Sequence, residues 1–215
     1  MTKPSSWVRS ALGGALVLAS ACAAEAPSAG LPYFDSPEFT PRWVEPPPAD
    51  FHRIPAFSLV DQHGAEVTEA DLAGKVAVVD FFFTSCQGIC PQLAEGMARI
   101  DGSISADAPM VLLSHSVMPG TDTVPTLARY ADQRGITSER WHLLTGDRQV
   151  IYDLGRTAYF VEEELGIERT DDDFLHTENI VLVDAEGHLR GVYNGLNATS
   201  VAQLVTDAEA LLGAM

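Results

Sequence analysis

The stretch Val76–Phe83 (VAVVDFFF) is an almost continuous apolar run, rich in β-branched and aromatic residues. Such a run reads as a central strand buried on both faces, which calls for a sheet with layers packed on each side. Directly after it comes Thr84-Ser85-Cys86-Gln87-Gly88-Ile89-Cys90-Pro91. Pro91 suits the first turn of a helix, where a missing N–H costs nothing. Strand, cysteine-bearing loop and helix thus follow one another, and the rest of the chain has to be arranged around them.

The flanking sequence continues the pattern. Ala56–Val60 and Glu66–Thr68 surround Asp61-Gln62-His63-Gly64, which predicts a hairpin. Gln92–Ile100 carries Leu93, Met97 and Ile100 at helical spacing; Met110–Val117 reads as a strand, and Val124–Arg134 as a helix closed by Gly135. Trp141–Leu144 is a short strand, and Asp147 caps a helix expected to run through Tyr159. Ile180–Val183 and Leu189–Tyr193 form a second hairpin, and Ser200–Leu212 a closing helix. This order predicts an α/β fold: a thioredoxin-like mixed sheet flanked by helices, with an N-terminal hairpin.

The amino-terminal part reads differently. Lys3 and Arg9 precede the small and apolar run Ala11–Ala21, and no acid occurs before Glu25. That is the shape of a secretory signal, too short to span a bilayer. It ends in Leu18-Ala19-Ser20-Ala21-Cys22, which resembles a bacterial lipobox with Ala19 where Leu or Val is usual. Residues 1–21 are accordingly expected to be a signal peptide and Cys22 a lipidated, membrane-anchored first residue outside the cytoplasm. Cleavage near Ala24, leaving no anchor, is the alternative. Residues 22–53 read as a tether: the prolines from Pro27 onward, including Pro46-Pro47-Pro48, exclude regular helix and central strand. Its aromatic residues Tyr33, Phe34, Phe39 and Trp43 are expected to lie against the domain, which is assigned to residues 54–214.

With 13 Lys plus Arg against 30 Asp plus Glu, the net charge is −17. That excludes nucleic acid as a partner, since phosphate binding needs clustered cations. It also excludes electrostatic docking on anionic lipid. A metal cation or a basic protein remains compatible with it.

Chemistry centres on Cys86 and Cys90. On a loop and the first turn of a helix, unpaired N–H groups and the helix dipole favour thiolate. A pair spaced in this way can close a redox disulfide or hold a soft metal. A structural disulfide is the bland alternative, but so small a loop constrains the unfolded chain little. Among the histidines, His52, His63 and His188 read as solvated, His142 as packed or exposed, and His115 as a satisfied core residue. His176 differs, since it ends the irregular acidic stretch Asp171-Asp172-Asp173-Phe174-Leu175 just before a strand. In a thioredoxin-like sheet that position faces the cysteine loop.

Phe81–Pro91 (FFFTSCQGICP), together with Asp173-Phe174-Leu175-His176-Thr177, resembles the Sco/SenC family of copper-binding assembly proteins. The resemblance extends over residues 54–214. It implies copper, Cu(I) or Cu(II), held by Cys86, Cys90 and His176. It further implies delivery of copper to, or reduction of, the dinuclear copper site of cytochrome c oxidase, with that subunit or another copper acceptor as partner. Two thiolates and an imidazole suit copper in both oxidation states. Zinc fits the donors too, but structural zinc normally takes four protein ligands. Met118-Pro119 stands where many relatives have Asp-Pro, whereas Asp122 is retained. The alternatives are an extracytoplasmic thiol–disulfide oxidoreductase and a copper or redox sensor. Against the oxidoreductase, the cysteine spacing is C-x-x-x-C, and no proline after Pro125 can supply the cis-proline of such enzymes. Asn197-Ala198-Thr199 matches a glycosylation acceptor by chance.

Overall fold

The computed structural model describes Met1, residues 30–161 and residues 177–215. Its centre is a five-stranded sheet in the order β5-β4-β3-β6-β7. β3 (Val76–Phe82), β4 (Met110–Ser116) and β5 (Trp141–Leu144) run parallel, while β6 (Asn179–Val183) and β7 (Leu189–Asn194) form an antiparallel hairpin against β3. β3 is buried along its whole length, as its run of Val, Ala and Phe requires. A separate two-stranded hairpin of β1 (Ser58–Val60) and β2 (Glu66–Thr68) precedes it.

Alternate residues of β3 feed two cores. Ala77, Val79 and Phe81 face the N-terminal hairpin and α3 (Arg148–Asp153), whose helix continues as a π-helical turn over Leu154–Ala158. Val76, Val78 and Phe82 face α1 (Cys90–Ser103), α2 (Val124–Arg134) and α4 (Ala198–Gly213). The helix ends follow local chemistry. The Asp147 carboxylate accepts from Gln149 N and Val150 N, and Gly135 ends α2 at φ 67°, where a side chain would be strained. Asn197 caps α4 by accepting from Thr199 N and Ser200 N, so its side chain has a local structural task. α1 lies close to the β7–α4 turn: a Cβ on Gly195 would stand 2.5 Å from Leu93 Cδ2.

Residues 30–53 lie across the β6–β7 hairpin. Tyr33 pairs with Arg42, and Phe34 with Leu189. The Arg190 guanidinium sits 3.8 Å over the Tyr33 ring and donates to the carbonyls of Leu31 and Pro32. Phe39 meets Phe34 and Phe160 edge-on. Trp43 departs from expectation, being 71% exposed. No helix among the described residues is long and apolar enough to cross a membrane.

Candidate metal centre

β3 and β4 end side by side, and the cysteine loop springs from that edge. Val117 N donates to Phe82 O, and Cys86 N to Phe83 O. Between them, Thr84 is clamped by the buried Asp122, which accepts from Thr84 N at 3.0 Å, from Thr84 Oγ1 at 2.5 Å and from Ser116 Oγ at 2.6 Å. Met118 has no carboxylate to offer. Its carbonyl accepts from Thr121 N and Asp122 N, while its side chain packs on the core beneath the hairpin. The acid that anchors the loop is therefore Asp122, delivered by the turn that Met118 opens.

Cys90 begins α1, with Ile89 as its cap residue and Pro91 in the first turn. Both cysteines are free thiols; Cys90 is buried and Cys86 half-buried. Burial works against ionisation of Cys86, but hydrogen bonds from Cys90 and from the backbone N–H groups of Cys90, Gly88 and Ile89 outweigh it. They hold this thiol below its ordinary value. Burial and the hydrogen bond with Cys86 push Cys90 the other way, up to about 12. The pair is thus asymmetric: a primed outer sulfur and a protonated inner one.

Behind Cys90 lies a residue that the periodicity of β3 conceals. Asp80 is 2% exposed and pairs in register with Ser114 of β4. Burial pushes its carboxyl up to about 7, against a hydrogen bond with Ser114. The one signal for it in the sequence is an acid interrupting an otherwise apolar strand.

The histidines correct several expectations. His188 is buried rather than solvated: Arg53 Nε donates to its Nε2 at 3.0 Å, and Tyr33 and Phe51 pack edge-on against its ring. His52 is half-buried, with Nε2 at 2.8 Å from Ala158 O and its ring on Phe160. Both hairpin tip and tether looked exposed because each covers the other. His142 Nδ1 meets Asp61 Oδ2 at 3.0 Å. His115 is fully buried and stacked on Phe81, the core residue that its place in a strand predicts. Burial lowers its pKa to about 3 and keeps it neutral. Asp184, Glu186 and His188 cluster closely, but Arg190 and Arg53 already neutralise that group. His176 and Cys22 lie outside the described residues, as does the acidic stretch before His176.

The family model SCO1/SenC matches residues 46–212. The Bacillus subtilis SCO1 protein homolog is 26% identical over 162 residues, covering 74% of this chain and 82% of that protein. The chain spans about half the length of the next two relatives, 56% of each. BsSco, a member of the Sco family of cytochrome c oxidase assembly proteins with a disulfide switch, superposes with a TM-score of 0.65. The two are 24% identical, over 76% of this chain and 95% of that one. Arabidopsis thaliana ScoI with copper bound gives a TM-score of 0.58 at 24% identity, over 75% and 98%.

Proposed function

The chain belongs to the SCO1/SenC family, and from that premise we propose that it carries copper as cargo, held by Cys86, Cys90 and His176. The cargo goes to a copper acceptor, the copper-bearing subunit of cytochrome c oxidase. The observation that carries this reading is the pair of free thiols on the loop and first turn of α1. Two soft sulfurs suit Cu(I), and an imidazole extends the set to Cu(II). That a Sco structure holds copper supports the choice of ion. The sheet supports His176 as third donor: β6 runs antiparallel to β3 with Val79 opposite Val181, so it starts at the end of β3 that launches the cysteine loop. His176 precedes that start by three positions in the sequence.

The chain's own residues do the rest. Asp122 fixes Thr84 and with it the origin of the loop. The lowered Cys86 thiol is the first to offer a thiolate, and Cys90 must lose a proton before both sulfurs can bind metal. Lipidation at Cys22 would hold the protein at a membrane outside the cytoplasm. Cys22→Ser is then expected to release it into the soluble fraction.

His176→Ala tests the ligand set. Cu(II) binding, read from its thiolate charge-transfer absorption, should fall strongly, whereas Cu(I) should be largely retained by the two sulfurs. Cys86→Ser should abolish both. Unchanged Cu(II) absorption and full oxidase maturation with His176→Ala, but none with Cys86→Ser, would remove His176 from the site. That outcome would favour the second reading, a thiol–disulfide reductase, to which the asymmetry of the two thiols also points.

A further inference from the structure

Large apolar side chains left in water are few among the described residues: apart from Met1, they are Trp43, Val44 and Met215. They gather at one place. Trp43 and Val44 line a groove whose walls also include Gly30, Leu31, Leu211 and Ala214, and Met215 directly follows Ala214. The charged side chains in the lining are Glu45 and Arg190, and Arg190 is already engaged by Asp184 and the Tyr33 ring. Exposed apolar residues scattered singly need no explanation, but a cluster of them around a groove marks an interaction surface. The indole is its strongest member, since a flat apolar body with one N–H suits the boundary between water and hydrocarbon.

We infer that this groove, with Trp43 at its rim, is a seat on the lipid bilayer, entered at headgroup depth, that stands the domain with its cysteine loop facing away from the membrane. The seat presupposes the proposed lipid anchor at Cys22. Gly30, one wall of the groove, comes eight positions after Cys22. Eight residues reach at most ~26–29 Å when fully extended, so the groove opens within that distance of the anchoring lipid. The seat can be weak, because an anchored protein meets the surface at high effective concentration. The net charge of −17 sets the mode: contact has to be apolar insertion rather than attraction to anionic headgroups. The same charge opposes a second copy of the chain. Three exposed side chains also fall well short of the roughly 800 Å² per partner that a stable protein interface buries.

The fold makes the direction definite. β7 runs antiparallel to β6, which itself runs antiparallel to β3. Arg190, near the start of β7, therefore lies at the end of the sheet opposite the one from which β3 launches the cysteine loop. α4 spans the distance between the two ends. It begins just after Gly195, which lies against Leu93 in the first turns of α1, and its last turn supplies Leu211 to the groove. Its 16 residues make a helix about 24 Å long. With the groove on the bilayer, the cysteines stand roughly that far above it, so the loop faces water and not lipid.

Trp43 is also the reporter. With residues 1–21 removed, the tryptophans are Trp43 and Trp141, and Trp141 is buried in the core. The mature protein, purified from membranes, is reconstituted into phosphatidylcholine vesicles with and without bromine on the acyl chains near the headgroup. Trp43 emission is the difference between wild type and Trp43→Ala, a change at an exposed position that should leave Cu(I) uptake unaltered. That emission should move to shorter wavelength on reconstitution, and brominated lipid should quench it by about twofold or more. Trp43 emission quenched by iodide in the water but not by brominated lipid overturns the inference, because the groove then faces solvent. Emission reached by neither quencher also overturns it and gives the face to a second copy or another protein. The mass of the N-terminal residue separates this seat from the anchor it depends on. No lipid on Cys22 removes both, whereas lipid on Cys22 with unquenched Trp43 removes the seat alone.

Discussion

Two buried carboxylates flank the cysteine loop, and they are opposites. Asp122 accepts three hydrogen bonds and ties the end of β4 to the first residue of the loop. Asp80, on the neighbouring strand, is held by Ser114 and leaves an oxygen with no partner among the described residues. The first is a fastening, in which every lone pair that matters is used. The second is buried beside the Cys90 thiol in a desolvating environment. The same side chain is thus saturated with hydrogen bonds just beyond β4 and, within the adjacent β3, set where burial raises its pKa.

The largest expected effect breaks the fastening. Asp122→Ala orphans Thr84 N and the hydroxyls of Thr84 and Ser116, and should cost about 3–5 kcal/mol in denaturant unfolding. A loss below about 1 kcal/mol would mean that the loop is not held from this side. Next comes the pH dependence of Asp80. Its folded carboxyl titrates at about 7 against a reference of 3.8, so between those values the native state binds more protons than the unfolded one. Stability from this group is therefore present at low pH and lost as pH rises through the window, at up to ~1.4 kcal/mol per pH unit. Asp80→Asn should remove that fall and be more stable than wild type above neutrality. Parallel stability curves for the two proteins would show Asp80 to be ionised throughout. The smallest effect sharpens the contrast: Ser116→Ala removes one of the three bonds to Asp122 and should cost about 1 kcal/mol without altering the pH profile.

Much of this frame was legible in the sequence because it rests on local rules. β3 follows from its β-branched and aromatic run, α2 from its helical spacing and Gly135, and the cysteine loop from its place after β3. What was not legible depends on contacts between distant segments. Asp80 sits where the pattern calls for an apolar residue, and its neighbours Ser114 and Tyr130 come from β4 and from α2, 34 and 50 positions away. His188 looked solvated on a hairpin tip because nothing local announces that Arg53 and Tyr33 cover it. The helix read as running from Asp147 to Tyr159 is regular only to Asp153 and then widens into a π turn, a change that periodicity alone does not reveal.

The central claim is that Cys86 and Cys90, as thiols, form the copper site. It is tested most directly by measuring the copper-to-protein ratio of one preparation, reduced and then oxidised to the Cys86–Cys90 disulfide, after equilibration with Cu(I) and desalting. The account predicts about one copper per chain for the reduced protein and none for the disulfide, with uptake restored on reduction. Equal copper in the two forms would place the metal elsewhere and contradict the account.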